Sequence, residues 1–127
     1  MSEKTVRVIS FGFKYGIPED AEFVIDVRCL PNPYWEESMR DMCGLDRDVD
    51  AYVFSSKTSL DLLDAAERMI LICLSATKKD EITVCVGCTG GQHRSVAFAE
   101  RLGKRIGSAG YDCRTSHREE KRFLVKV

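Results

Sequence analysis

The stretch Ile82-Thr-Val-Cys-Val-Gly-Cys-Thr-Gly-Gly-Gln-His-Arg-Ser95 decides how this chain is read. Ile82 to Val86 is a short, mostly β-branched apolar run of the kind that fills a buried strand. Gly90 and Gly91 then let the backbone turn tightly and expose its N–H groups. Beyond them Val96, Ala99, Leu102 and Ile106 recur at helical spacing, which predicts a helix from Gln92 to about Ile106, closed by Gly107 to Gly110. Strand, glycine loop and helix N-terminus together make an anion cradle, because the loop amides and the positive end of the helix dipole face the same point. Arg94 adds a fork of donors that matches phosphate.

Working outward, Val6 to Phe13 alternates in part and is stopped by Gly16 and Pro18. Phe23 to Val27 is an apolar run stopped by Pro31-Asn-Pro33, and both stretches predict strands. From Thr58 to about Ala76, Leu63, Ala66, Ile70, Cys73 and Leu74 recur at helical spacing, with Thr58 and Asp61 placed as a start signal. Residues 36–57 predict one short helix and an acidic loop, and Tyr111 to Thr115 a fourth strand. Strands separated by helices imply parallel pairing, with functional loops at the carboxyl ends of the strands. The expectation is an α/β fold: a single small domain over residues 1–127, with a mainly parallel four-stranded sheet flanked by helices. A chain of 127 residues, 44% hydrophobic and 31% charged, suits one core.

No apolar run approaches the roughly 20 residues of a membrane span, and no apolar signal-type stretch follows Met1 to Thr5. A cytoplasmic chain with no membrane partner is therefore expected. Six cysteines, at positions 29, 43, 73, 85, 88 and 113, fall mostly inside apolar segments and predict reduced, mostly buried thiols. The net charge of -1 makes no global case for nucleic acid. Residues 101–127, however, carry 8 Lys and Arg against 3 Asp and Glu, which gives either a local basic face or a solvated last helix and tail.

Parallel pairing brings separate motifs to one edge of the sheet. Asp26 and Arg28 follow the second strand, Cys88 to Arg94 the third, and His117 with Arg118 the fourth. Arg28, Arg94 and Arg118 are then expected as a basic rim around the glycine loop, with Asp26 receiving an amino or hydroxyl group of a ligand. Plainer roles exist for each: Asp26 paired with Arg28, and His117 an ordinary surface histidine. Tyr34 and Trp35 suit stacking on a sugar or base, or packing of the Pro-Asn-Pro turn.

The same loop fits Cys-x5-Arg-Ser, the arrangement of cysteine phosphatases. There Cys88 would be a thiolate nucleophile stabilised by the helix end and Arg94, Ser95 would assist breakdown of the intermediate, and an aspartate would protonate the leaving group. Asp26, Asp46 and Asp48 are the available acids, and none sits in a recognisable general-acid loop. Gly87 stands where such enzymes usually have histidine, so binding is favoured over hydrolysis. Cys85-Val-Gly-Cys88 is formally Cys-x-x-Cys, but three positions along a strand put the side chains on opposite faces, and no second Cys/His pair occurs at zinc spacing. Neither a metal nor a cofactor is expected.

Phe11-Gly-Phe-Lys-Tyr-Gly-Ile-Pro18, Asp26-Val-Arg-Cys-Leu-Pro-Asn-Pro-Tyr-Trp35, Gly44-Leu-Asp46, Gly87-Cys-Thr-Gly-Gly-Gln-His-Arg-Ser95 and His117-Arg118 with Glu120-Lys-Arg122 occur in that order. In this series the chain resembles the C-terminal domain of the RapZ family, bacterial RNase adapter proteins. The resemblance implies a non-catalytic domain that senses an amino-sugar phosphate, glucosamine-6-phosphate, contributes to binding of small RNA, and self-associates into a homo-oligomer. It places the phosphate on Thr89, Gly90, Gly91, Gln92, His93 and Arg94. The sugar side falls to the segment from Pro31 to Trp35, with Lys14, Asp26, Arg28, Asn32 and Tyr34, and RNA to His117, Arg118, Lys121 and Arg122. The chain carries Tyr15 and Tyr34 where the pattern has histidine, which changes the hydrogen-bond inventory on the sugar side. It has no Gly-x4-Gly-Lys-[Ser/Thr] loop for ATP.

Overall fold

The structure, a computed structural model, describes residues 4–123. Its strands are β1 (Thr5–Gly12), β2 (Phe23–Asp26), β3 (Glu81–Cys88) and β4 (Asp112–His117). They form one sheet in the order β2-β3-β1-β4, and every pairing is parallel. The α/β fold expected from the sequence is thus the fold observed. Residues 1–3 and 124–127 of the expected domain, including the end of the basic tail, lie outside the described residues.

Helices α1 (Arg47–Val53), α2 (Lys57–Ala76), α3 (Arg94–Ser108) and the short α4 (Glu120–Phe123) complete the fold. The crossovers from β2 to β3 and from β3 to β4 step the same way across the sheet. Right-handed connections therefore stack α1, α2 and α3 on one face. Alternate strand residues supply that face: Val6 and Val8 from β1, and Ile82, Val84 and Val86 from β3. They meet Leu63, Ala66, Ile70 and Leu74 of α2 and Ala97, Phe98, Leu102 and Ile106 of α3 in one buried cluster. Phe54, just after α1, stacks on Phe98 with ring centroids 6.1 Å apart.

Several expectations need correction. Helix α2 starts earlier than Thr58, because Ser56 is its cap and accepts a hydrogen bond from the Ser59 N–H at 3.2 Å. Cys73 sits on the flank of the α2 stripe and is exposed, as is Cys29; only Cys85 and Cys88 are buried, and all six thiols are free. Helix α3 begins at Arg94 rather than Gln92, since residues 89–93 are drawn into the loop. Strand β4 runs on to His117, where pairing with Ser10 of β1 extends the ladder past Thr115. Among the described residues no helix is long and apolar enough to cross a membrane.

Candidate functional site

The carboxyl ends of the two central strands, Gly12 of β1 and Cys88 of β3, are register partners. The loop leaving β3 folds back over this point. Gly91 has φ 73°, the left-handed region that a side chain resists. Close approach also requires glycine here, since a Cβ on Gly12 would lie 2.6 Å from the Gly90 carbonyl carbon and one on Gly91 2.6 Å from the Gly12 nitrogen. The Lys14 N–H donates to the Thr89 carbonyl at 3.2 Å, tying the exit of β1 to the loop.

Above the loop opens a cleft of about 530 Å³, within the roughly 300–1,000 Å³ of small-molecule sites. Cys88, Thr89, Gly90, Gln92, His93 and Arg94 line one side, and Lys14, Asn32, Tyr34, Trp35 and Arg40 the other. Three of these residues are cations and none is a carboxylate.

A 3-10 turn over Pro33–Trp35 builds the outer wall. Asn32 caps it, its Oδ1 accepting from the Tyr34 N–H at 3.1 Å, and Pro33 is buried beneath. The exposed Tyr34 and Trp35 rings meet edge to face at 5.9 Å. Arg40 fastens this wall: its Nε donates to the Tyr34 carbonyl at 2.7 Å and its guanidinium carbon stands 5.0 Å from the Tyr34 ring centroid.

Arg94, the first residue of α3, is buried and donates through one terminal nitrogen to the Arg28 carbonyl. Its remaining donors are not used by that bond. Gln92 and His93 take a different part from the one expected. Gln92 Nε2 donates to the carbonyls of Arg40 and Met42, at 3.2 and 2.7 Å, so its side-chain hydrogens brace the wall. His93 Nε2 lies 3.1 Å from the Met39 carbonyl, which can only accept, so Nε2 carries the hydrogen. Burial holds this imidazole below its ordinary pKa of 6.5. Side-chain donors engaged in this way are not aimed at an anion.

The structure does not bring Asp26 and Arg28 to the cleft. Two residues apart at the end of β2, they turn toward each other in a bidentate pair with a 2.7 Å contact, and the Arg28 guanidinium lies 3.9 Å over the Phe13 ring. The Arg28 hydrogen bonds hold the Asp26 carboxyl below its ordinary value. The expected basic rim is also divided, because Arg118 turns away to donate to the Glu119 carboxylate and to the carbonyls of Gly12 and Gly16. His117 is no surface histidine. The register of β4 turns it inward, with Nδ1 2.7 Å from Ser10 Oγ and Nε2 2.7 Å from Glu100 Oε2, leaving the ring 6% exposed. Lys121 and Arg122 remain outward on α4, and Arg122 stacks over Tyr15 at 3.5 Å.

Cys88 forms the floor, buried, with its thiol donating to Ser95 Oγ at 3.2 Å. Of the acids considered for proton transfer, Asp46 accepts from the Cys43 N–H at 2.8 Å, and Asp26, Asp46 and Asp48 all lie off the cleft lining. Sequence reasoning missed Arg40, which falls in the poorly patterned stretch of residues 36–57. It also gave no role to Glu119, although this residue is buried against Gly12, 107 positions away.

A family model described as the RapZ C-terminal domain matches residues 4–121. A nucleotide-binding protein of Bifidobacterium longum is 49% identical over 118 residues, which is 91% of this chain and 36% of that protein. Nucleotide-binding proteins of Gloeobacter violaceus and Listeria innocua are each 45% identical, over 93% and 92% of this chain and 40% and 41% of theirs. The chain thus spans well under half the length of the curated relatives it matches.

Proposed function

The chain belongs to the RapZ C-terminal domain family, and on that premise we propose that it is a non-catalytic regulatory domain that binds a sugar phosphate. The observation that carries the reading is the cleft itself. It opens over a glycine loop at the start of α3 and is lined by Lys14, Arg40 and Arg94 with no carboxylate. Loop amides, the helix dipole and these cations all favour a phosphate dianion. Asn32, Tyr34 and Trp35 offer the sugar a polar edge and an aromatic face. A glucosamine-6-phosphate-like ligand fits this division of labour. The name carried by the relatives describes proteins of which this chain spans only a part, so a nucleotide is a competitor to be included in the test.

Thermal melting in the presence of glucosamine-6-phosphate, glucosamine, a nucleoside monophosphate and inorganic phosphate tests the reading. A ligand that binds only the native state must raise the melting temperature. Expected is a rise with the sugar phosphate, a smaller one with phosphate, and none with glucosamine. No shift with any phosphate at millimolar concentration refutes it.

The same reading gives the domain a cytoplasmic location, with a small RNA and a second copy of the chain as its macromolecular partners. Arg118, Lys121 and Arg122 supply the RNA contact without His117. Affinity that does not fall with salt or with loss of these three charges would remove it, and a monomer by sedimentation would remove the second copy.

One observation favours a second reading, cysteine phosphatase: Cys88 ends β3, Arg94 starts α3, and Ser95 Oγ is within 3.2 Å of the thiol. That chemistry also needs an acid for the leaving group, and no carboxylate lines the cleft. Turnover of an aryl phosphate that Cys88→Ser abolishes would establish it in place of the sensor reading.

A further inference from the structure

Glu119 stands outside the cleft lining, yet it touches both backbone segments from which the loop is built. It is 4% exposed, and its Oε2 accepts from the Gly12 N–H at 3.1 Å and from Arg118 Nε at 2.8 Å. Its side-chain stem lies against the open face of Gly91, where a Cβ would meet Glu119 Cγ at 2.7 Å. Its other oxygen takes Arg122 Nε at 3.3 Å, and that guanidinium stacks over Tyr15. Burial pushes the Glu119 carboxyl up, but the Gly12 N–H, Arg118 and Arg122 outweigh it and hold the group below its ordinary value, so it is ionised at neutral pH. With two arginines on it the charge is compensated, and what remains is geometry. Gly12 is the wall against which the Gly90-Gly91 turn is stacked.

We propose that Glu119 is the positioning residue of the phosphate cradle, fixing the Gly12 backbone and the Gly91 turn against each other. The proposal rests on the reading of this loop as a phosphate site. The same carboxylate also holds Arg122 of α4.

The test is calorimetric titration of the chain with inorganic phosphate, comparing the parent with Glu119→Gln and Glu119→Met, each checked by its melting transition. Glutamine keeps an oxygen for the Gly12 N–H, whereas methionine fills the space without an acceptor. Expected is affinity within about threefold of the parent for Glu119→Gln and a loss of about tenfold or more for Glu119→Met, the effect of one phosphate hydrogen bond lost as the unfastened loop shifts. Parent-like binding by Glu119→Met overturns the proposal, and so do equal losses in both variants. A parent that binds no phosphate removes the site and the proposal with it. If Glu119→Met does not fold, the parent alone decides by NMR. Phosphate should shift the Gly12 amide and the Glu119 carboxyl resonances with one half-saturation point. A titration that moves the Gly90 amide but neither of these keeps the site and overturns the proposal.

Discussion

Gly12→Ala puts a single methyl group into the contact on which the site depends. The new Cβ would stand 2.6 Å from the Gly90 carbonyl carbon, 2.7 Å from its oxygen and 3.0 Å from the Gly91 nitrogen. Carbon atoms settle at about 3.5–4.0 Å, so the loop must retreat by about 1 Å. Strand β1 cannot yield instead, because it is held between β3 and β4. Overpacking of this kind costs about 1–3 kcal/mol. At about 4 °C per kcal/mol for a domain of this size, the melting temperature should fall by about 4–12 °C. Moving the loop amides by about 1 Å takes a hydrogen bond of about 2.9 Å beyond bonding range. Loss of one charge-assisted bond, about 1.5–3 kcal/mol, weakens phosphate binding by tenfold or more. Gly107→Ala is the control, since the space there is open and the residue lies in α3. It should leave phosphate affinity unchanged and raise stability by about 0.4–1 kcal/mol. The assay is differential scanning fluorimetry paired with calorimetric phosphate titration. A Gly12→Ala chain that melts lower but binds phosphate as the parent does would refute the cradle; one unchanged in both would refute the packing.

Other outcomes follow from the same geometry. Trp35 is 72% exposed, so Trp35→Ala should change stability by no more than about 0.5 kcal/mol while weakening a sugar phosphate and leaving inorganic phosphate untouched, as parallel titrations would show. With no carboxylate on the cleft lining, an ammonium on the sugar gains no ion pair. Glucosamine-6-phosphate and glucose-6-phosphate should therefore bind within about tenfold of each other, and a hundredfold preference would contradict that account. The depressed pKa of His93 implies that the unfolded chain binds the proton first, near its ordinary value of 6.5. The stability this group contributes is complete above that pH and is lost as pH falls toward the folded pKa. The melting temperature should fall more steeply from about pH 7 to about pH 5 in the parent than in His93→Gln, and equal slopes would show that His93 is not held neutral.

How much was legible varied with the range of the interactions. The succession of strand, loop and helix after Ile82 read correctly, apart from the helix bounds, because its pattern is local: β-branched residues, then glycines, then a stripe of period 3.6. The stripe of α2 was equally plain, although its cap was misplaced, since Thr58 and Ser56 are both adequate capping residues and only the observed turn chooses between them. Asp26 and Arg28 read either as ligand contacts, because they follow a strand at the functional edge, or as a mutual pair. That they satisfy each other is a matter of side-chain direction, which spacing does not convey. His117 fooled the reading for a related reason, as two extra residues of β4 pairing carry it from the surface onto Ser10 and Glu100.

By itself, the sequence determined the α/β class, the parallel pairing and the family. Each of these rests on local periodicity, on backbone freedom at glycine, or on residues contiguous in the chain. Tertiary structure alone decided the strand order and set Arg40 on the cleft wall beside Tyr34. It bonded the Gln92 and His93 side chains to the carbonyls of Met39, Arg40 and Met42, and it brought Glu119 against Gly12. Apart from the Arg40–Tyr34 bond, which spans 6 positions, these depend on contacts between residues about 50 to 107 positions apart, such as Gln92 with Arg40 and Gly12 with Glu119. The physical reason is that a buried polar group must find a partner wherever the fold offers one, and that partner is fixed by packing and not by its distance along the chain.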